Sequence, residues 1–415
     1  MINFLKKVKN DELIKGSVVL LMMLVLFNLL NYIFQISMAN LLEPAEFGIF
    51  ATLMSIVYIF SIPTETIQTI TSKYVSKFNE TENLGKFKDV LYRGIKKSVW
   101  LSLVAFILFL IVGLFLSPVL RINFSLFFLT GIILFSFFTT SVQRGILQGR
   151  KKFSQLGLSL VFESMIKVVM SILLVIIGFK IYGAMGGIIV ATFSSVIICF
   201  LMLKDVLKVK KERVDFRGIY LENIPSLIVI TSIVFIYSLD IIFARAFFSP
   251  EVAGHYALIS LVGKVIFFVS SSISKAMFPI SSEEFEKGNK TEGIFKKSAI
   301  IVVLMSIFIL TFYILFPKEI IWIISLGSSK YLPAAGILPI LGMSYVLLSF
   351  SNIILYYRLS VNKISKKGSL IFIIFVMLEI ILLNIYHSGL AEFSFVLLFI
   401  NAIMFLYSLF LAIRR

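Results

Sequence analysis

The feature that most limits how this chain can fold is a string of long apolar runs punctuated by short clusters of lysine and arginine. An apolar α-helix needs about 20 residues to cross the hydrocarbon core of a bilayer. Runs at 16–38, 47–70, 98–117, 124–143, 156–178, 184–203, 225–247, 254–279, 298–316, 334–357, 369–386 and 393–413 approach or exceed that length. The expected fold is therefore an all-α polytopic membrane protein with twelve transmembrane helices. Composition agrees: 59% of the residues are hydrophobic and 15% are charged, against about 25% charged in a soluble domain. The first run is too long for the core of a signal peptide and is read as a retained helix. Segment 317–333 holds Trp322 and the apolar stretch Ile320–Leu326, too short to span. It either extends the ninth helix or lies at the interface.

The net charge of +17 comes from basic residues set between the spans, so it reads as membrane topology rather than as a nucleic-acid surface. Of 39 Lys and Arg, 31 fall in 1–15, 71–97, 144–152, 204–217, 280–297, 358–367 and 414–415. Only Arg121, Lys180, Lys318 and Lys330 fall on the opposite side, and Lys167, Arg245, Lys264 and Lys275 lie within spans. The positive-inside rule then puts both termini in the cytoplasm of a cell whose cytoplasmic membrane houses the chain. The basic clusters serve as anchors to membrane lipids. With a single cysteine, Cys199, an intrachain disulfide is excluded, and His255 and His387 lack metal-ligand spacing. No catalytic constellation and no Gly-rich phosphate loop ending in Lys-Ser/Thr is found, so an enzyme and direct ATP use are not expected. No metal or cofactor is expected. Energy is left to a Na+ or H+ gradient or to the substrate's own gradient.

Two segments match at an offset of half the chain. Pro44-Ala-Glu-Phe-Gly48-Ile-Phe50-Ala51 and Pro250-Glu-Val-Ala-Gly254-His-Tyr256-Ala257 both read Pro-x-x-x-Gly-x-aromatic-Ala, and both open the second helix of a six-helix set. The halves read as parallel repeats, a common transporter plan. The expected division is an N-terminal lobe over 1–203, a cytoplasmic linker over 204–224 and a C-terminal lobe over 225–415.

Four passages resemble the multidrug/oligosaccharidyl-lipid/polysaccharide exporter superfamily, and within it the polysaccharide transporters or O-antigen-type flippases. They are Asn40 to Ala51, the "G-x-x-Q-G-x-x-x-F" loop Gly145-Ile-Leu-Gln-Gly-Arg-Lys-Lys-Phe153, Asp240 to Pro279, and Ser325-Leu-Gly-Ser-Ser-Lys-Tyr-Leu-Pro-Ala-Ala335. The resemblance implies two pseudo-symmetric six-helix lobes around a central cavity that opens alternately to either side. It implies a polyprenyl-pyrophosphate-linked oligosaccharide as substrate, moved from the cytoplasmic to the outer leaflet. A glycan polymerase or glycosyltransferases would be its partners, and the protein would work as a monomer. The alternative within the superfamily is an ion-coupled multidrug antiporter, whose mark would be a deep carboxylate such as Glu65 or Asp240.

Ionisable side chains inside a span are costly and are functional candidates by default. Eight occur: Glu65, Glu163, Lys167, Asp240, Arg245, Lys264, Lys275 and Glu379. Glu163 and Lys167, spaced i,i+4, are expected to meet on one face as a structural or gating pair. Glu379 is either paired across helices or protonated. By the resemblance, Arg245 and Lys264 would meet the pyrophosphate, with Asp240 beside them. Asn31 and Gln35 share a face with Asn28 on the first helix and either bridge helices or bind sugar hydroxyls. Gln68 and the stretch Thr64–Thr66, with Glu65 inside it, make the second helix similarly polar, and Pro63 is expected to kink it. Four of the eight charges are acidic and four basic, so a cationic cavity depends on their placement.

Overall fold

Proline and short capping side chains mark where helices begin. Proline lacks an N–H that the first turn would leave unpaired, and a Ser or Asn oxygen can take one of the others. The computed structural model describes residues 12–77, 83–213 and 224–413. In chain order its helices are α1 (Glu12–Leu41), α2 (Pro44–Lys77), α3 (Leu84–Leu120), α4 (Phe124–Gly131), α5 (Ile133–Gly149), α6 (Phe153–Leu174), α7 (Lys180–Met202) and α8 (Lys204–Lys208). They continue as α9 (Ile224–Phe247), α10 (Pro250–Glu286), α11 (Glu292–Leu315), α12 (Pro317–Ile324), α13 (Leu338–Ser360), α14 (Lys366–Ile385) and α15 (Leu390–Ile413). Asn83 caps α3 by accepting from the Lys86 N–H, and Ser249 caps α10 ahead of Pro250.

Eleven apolar helical stretches are long enough to cross a membrane among the described residues. The longest, Phe153–Met202, covers 50 residues and is two crossings. A π-helical turn ends α6, Gly178 adopts φ 109°, and α7 packs back along α6. The Ser171 hydroxyl then reaches the Ala184 carbonyl at 3.1 Å. Twelve crossings result, as expected. The fourth is α4 followed directly by α5. Pro63 leaves α2 a single continuous element, with the Ser61 and Thr64 hydroxyls bonded to nearby backbone carbonyls. Segment 317–333 contributes the separate short helix α12, and a 3-10 turn, Leu332–Ile337, leads into α13.

The surface pattern is inverted relative to a soluble bundle. On α3 the buried positions include Ser98, Ser102 and Gly113, while Trp100, Ile107, Leu114 and Phe115 point outward. Small residues let helices approach where lipid supplies no hydrophobic drive for association.

The chain forms two compact units, Met1–Glu43 with Ile56–Ile219, and Pro44–Ser55 with Tyr220–Arg415. Both departures from the expected division have a visible cause. The first turns of α2 belong with the C-terminal unit because the two copies of the repeated motif pack on each other there. A Cβ on Gly48 would lie 3.0 Å from the Gly254 backbone N, and one on Gly254 would lie 1.8 Å from the Pro44 carbonyl oxygen. The first half of the expected linker is fastened to the N-terminal unit. Lys88 donates to the Leu207 and Val209 carbonyls, the Glu212 N–H bonds to Gly85, and buried Asp89 holds both Arg93 and Lys211 at 3.0 and 3.1 Å. Arg150 pairs with Asp205 at 2.6 Å, and this hydrogen bond holds the Asp205 carboxyl below its ordinary range. Linker residues 214–223 and the terminal basic segment 1–11 lie outside the described residues.

The motif contact gives the first test. Gly254→Ala must displace backbone, and overpacking of this kind costs about 1–3 kcal/mol. The variant should unfold at a lower temperature in detergent. Gly336→Ala, with no atom within 4 Å of the added carbon, should unfold like the parent protein.

Candidate functional site

In the C-terminal unit, a polar stripe on α10 faces a carboxylate on α9. Tyr256, Ser260 and Lys264 recur at i, i+4 and i+8, so they stand one above another on one helix face. Opposite them Asp240 is wholly buried. Its Oδ1 accepts from Lys264 Nζ at 3.0 Å. Its Oδ2 accepts from Ser260 at 2.6 Å, from Tyr345 of α13 at 2.9 Å and from Tyr256 at 3.3 Å. The Lys264 side chain is only 5% exposed. Bringing two charges out of water costs several kcal/mol per ion, and good geometry with further hydrogen bonds is what offsets it.

A second carboxylate joins this pair. Glu379 of α14 is wholly buried and electrostatically coupled to both Asp240 and Lys264. Neither of its oxygens has a hydrogen-bond partner among the described residues. The amine is bonded to Asp240, and Glu379 lies in the same solvent-closed region without a bond to either. The set carries no net charge when Glu379 holds a proton.

The N-terminal unit holds the opposite arrangement. Arg144 of α5 donates from Nη2 to Glu163 at 2.6 Å and to Ser195 Oγ at 2.9 Å, and from Nε to Ser159 Oγ at 3.2 Å. Lys167, one turn beyond Glu163, instead donates to the Asn31 side chain of α1, with its Nζ 5.0 Å from the centre of the Phe34 ring. No described carboxylate lies within ion-pair distance of Lys167. Two cations here accompany one acid.

These placements revise the expected site. Lys264 is ion-paired with Asp240 at 3.0 Å. Arg245 is buried in the last turn of α9, its guanidinium on the Pro250 carbonyl at 3.3 Å. The expected Glu163–Lys167 pair gives way to Glu163–Arg144, because a forked guanidinium anchored by two serines is the better partner for a carboxylate. Asn31 and Gln35 both bridge helices, Asn31 to Lys167 and Gln35 to the Tyr58 hydroxyl. Gln68 donates to Gln148 at 3.0 Å. Glu65 and Lys275 are exposed.

The Gln148 contact explains the "G-x-x-Q-G" passage physically. Added carbons at Gly145 and Gly149 would lie 2.7 Å from the Gln68 carbonyl oxygen and 2.5 Å from that of Ser72. The glycines let α5 lie directly on α2, which places the two glutamines together.

Residues 13–285 match a family model described as polysaccharide biosynthesis protein. The chain belongs to this family. Family and fold are those of membrane transporters of the multidrug/oligosaccharidyl-lipid/polysaccharide exporter superfamily, not of enzymes. No curated protein in the comparison matches it. Among solved structures it is similar to an inward-facing multidrug resistance MATE family transporter, at 14% identity, TM-score 0.72 and 94% coverage of both chains. It is also similar to a superfamily transporter from Pyrococcus furiosus described as having a binding pocket of reverse polarity, at 13% identity, TM-score 0.66 and coverage of 97% and 95%. A eukaryotic MATE transporter matches at 13% identity, TM-score 0.63 and coverage of 95% and 96%. At these identities the likeness establishes the fold.

The buried pair in the C-terminal unit predicts strong non-additivity. Lys264→Met alone strands Asp240 beside Glu379 and should cost about 3–5 kcal/mol, the penalty for breaking a buried pair. Adding Asp240→Asn should recover most of that loss. Unfolding of the two single variants and the double in detergent measures the coupling.

Proposed function

We propose that this transporter is a flippase that moves a polyprenyl-diphosphate-linked oligosaccharide from the cytoplasmic to the outer leaflet by alternating access. The observation that carries this reading is Lys167. An embedded cation is costly, and among the described residues its direct contacts are a neutral amide and an aromatic ring, with no carboxylate within ion-pair distance. A diphosphate carries negative charge into a medium of low dielectric and needs a cationic donor there. A flexible ammonium with rotatable donors is suited to meet it. Family membership supports the same substrate class.

In this reading the two units divide the work. The cation excess of the N-terminal unit receives the anionic head of the lipid. The acid excess around Glu379 couples transport to a proton or Na+ gradient. Both termini lie in the cytoplasm and the protein in the cytoplasmic membrane in this reading, and the Lys and Arg asymmetry supports that orientation. The protein acts as a monomer, receiving its cargo from glycosyltransferases and delivering it to a glycan polymerase.

A second reading, an ion-coupled multidrug antiporter, draws on the buried acid pair and on the likeness to MATE structures. The two differ in the charge of the cargo. Proteoliposomes loaded with a fluorescent polyprenyl-diphosphate oligosaccharide should show transfer between leaflets that Lys167→Ala slows at least tenfold at equal protein content. A wild-type rate in that variant would remove the assigned role. Ion-driven export of organic cations, with no lipid transfer under any imposed gradient, would favour the antiporter.

A further inference from the structure

Glu163 sits one helical turn from Lys167, the spacing at which a carboxylate and an ammonium on a helix meet. In the bilayer interior such a pair would be far stronger than on a soluble surface, since the attraction grows as the dielectric falls. The two side chains interact electrostatically, yet the Glu163 carboxylate is turned to Arg144 at 2.6 Å. Each partner's side chain in that bridge is 12% exposed. Something must hold the carboxylate there, and the guanidinium's own contacts supply it. Arg144 is pinned by the Ser159 hydroxyl at 3.2 Å, the Ser159 carbonyl at 3.3 Å and the Ser195 hydroxyl at 2.9 Å. Both serines are wholly buried. The fork is thus fixed by α6 and α7 before it takes Glu163.

We infer that Arg144 is a positioning residue: by holding Glu163 it keeps Lys167 un-neutralised and available to an anionic group of the cargo. This rests on the reading of Lys167 as the diphosphate donor. It assigns to the last basic residue of α5 a role in anion affinity, although no substrate atom need touch it. Without the Arg144 fork, Glu163 would turn to Lys167 and cancel its charge. The anion would then meet a neutral pair.

Binding of farnesyl diphosphate to the purified full-length protein in detergent tests this without requiring transport. Lys167→Ala should raise Kd at least tenfold. Arg144→Gln should raise it by a similar factor, and Arg144→Gln with Glu163→Gln should return it to within about threefold of the parent protein. The deciding comparison uses the Lys167→Ala background, where Arg144→Gln should change Kd no further. A merely structural Arg144 would lower affinity whether or not Lys167 is present. A parent-like Kd in Arg144→Gln, or an equal loss in both backgrounds, overturns the positioning role while leaving the flippase reading in place. A parent-like Kd in Lys167→Ala overturns both. Where Arg144→Gln does not fold, Arg144→Lys keeps the charge but loses the fork. It should shift Kd the same way by a smaller factor, again only when Lys167 is present.

Discussion

In a hydrocarbon medium a charge has no water to fall back on, so every embedded ion must be answered by a neighbouring side chain or by something the protein carries. That requirement organises this molecule more than any single packing contact. Asp240 collects four donors from two helices. Arg144 collects a carboxylate, two hydroxyls and a carbonyl. The helices that supply these groups are held in register by the same bonds that neutralise the charges. Where the local balance does not close, at Lys167 and Glu379, the departures have opposite sign and lie in different units.

The architecture was largely legible in the chain because it follows from quantities that add along a sequence. Apolar length sets the spans, and the basic clusters test their number. Even the hairpin of α6 and α7, helical without a long loop, is betrayed by Lys180 placed between two apolar runs. The partnerships were less legible because they are set between helices. The stripe Tyr256, Ser260, Lys264 was readable at helical spacing and announced a polar face on α10. That Asp240 faces it, and that Tyr345 completes it from 105 residues away, depends on how helices are juxtaposed. Arg144 was concealed differently. It stands near Arg150, Lys151 and Lys152 in sequence and reads as part of that basic cluster, yet its side chain turns back into the helices while Arg150 goes to Asp205.

The i,i+4 rule failed at Glu163 and Lys167 for an instructive reason. The rule describes two side chains with no better option. Here the carboxylate has one, a planar fork already fixed by two buried serines, and the ammonium is left to an amide and a ring. Local spacing set which groups were near one another, and the longer-range contacts decided which of them joined.

The meeting of Gly48 and Gly254 carries a consequence for which side chains either motif can hold. Each copy of the motif is part of the other's wall, since the space a side chain would need at Gly254 is filled by the Pro44 carbonyl. The two copies cannot drift independently. A bulkier residue in one has no room unless the other retreats, so the two matching motifs constrain each other here by mutual exclusion of volume.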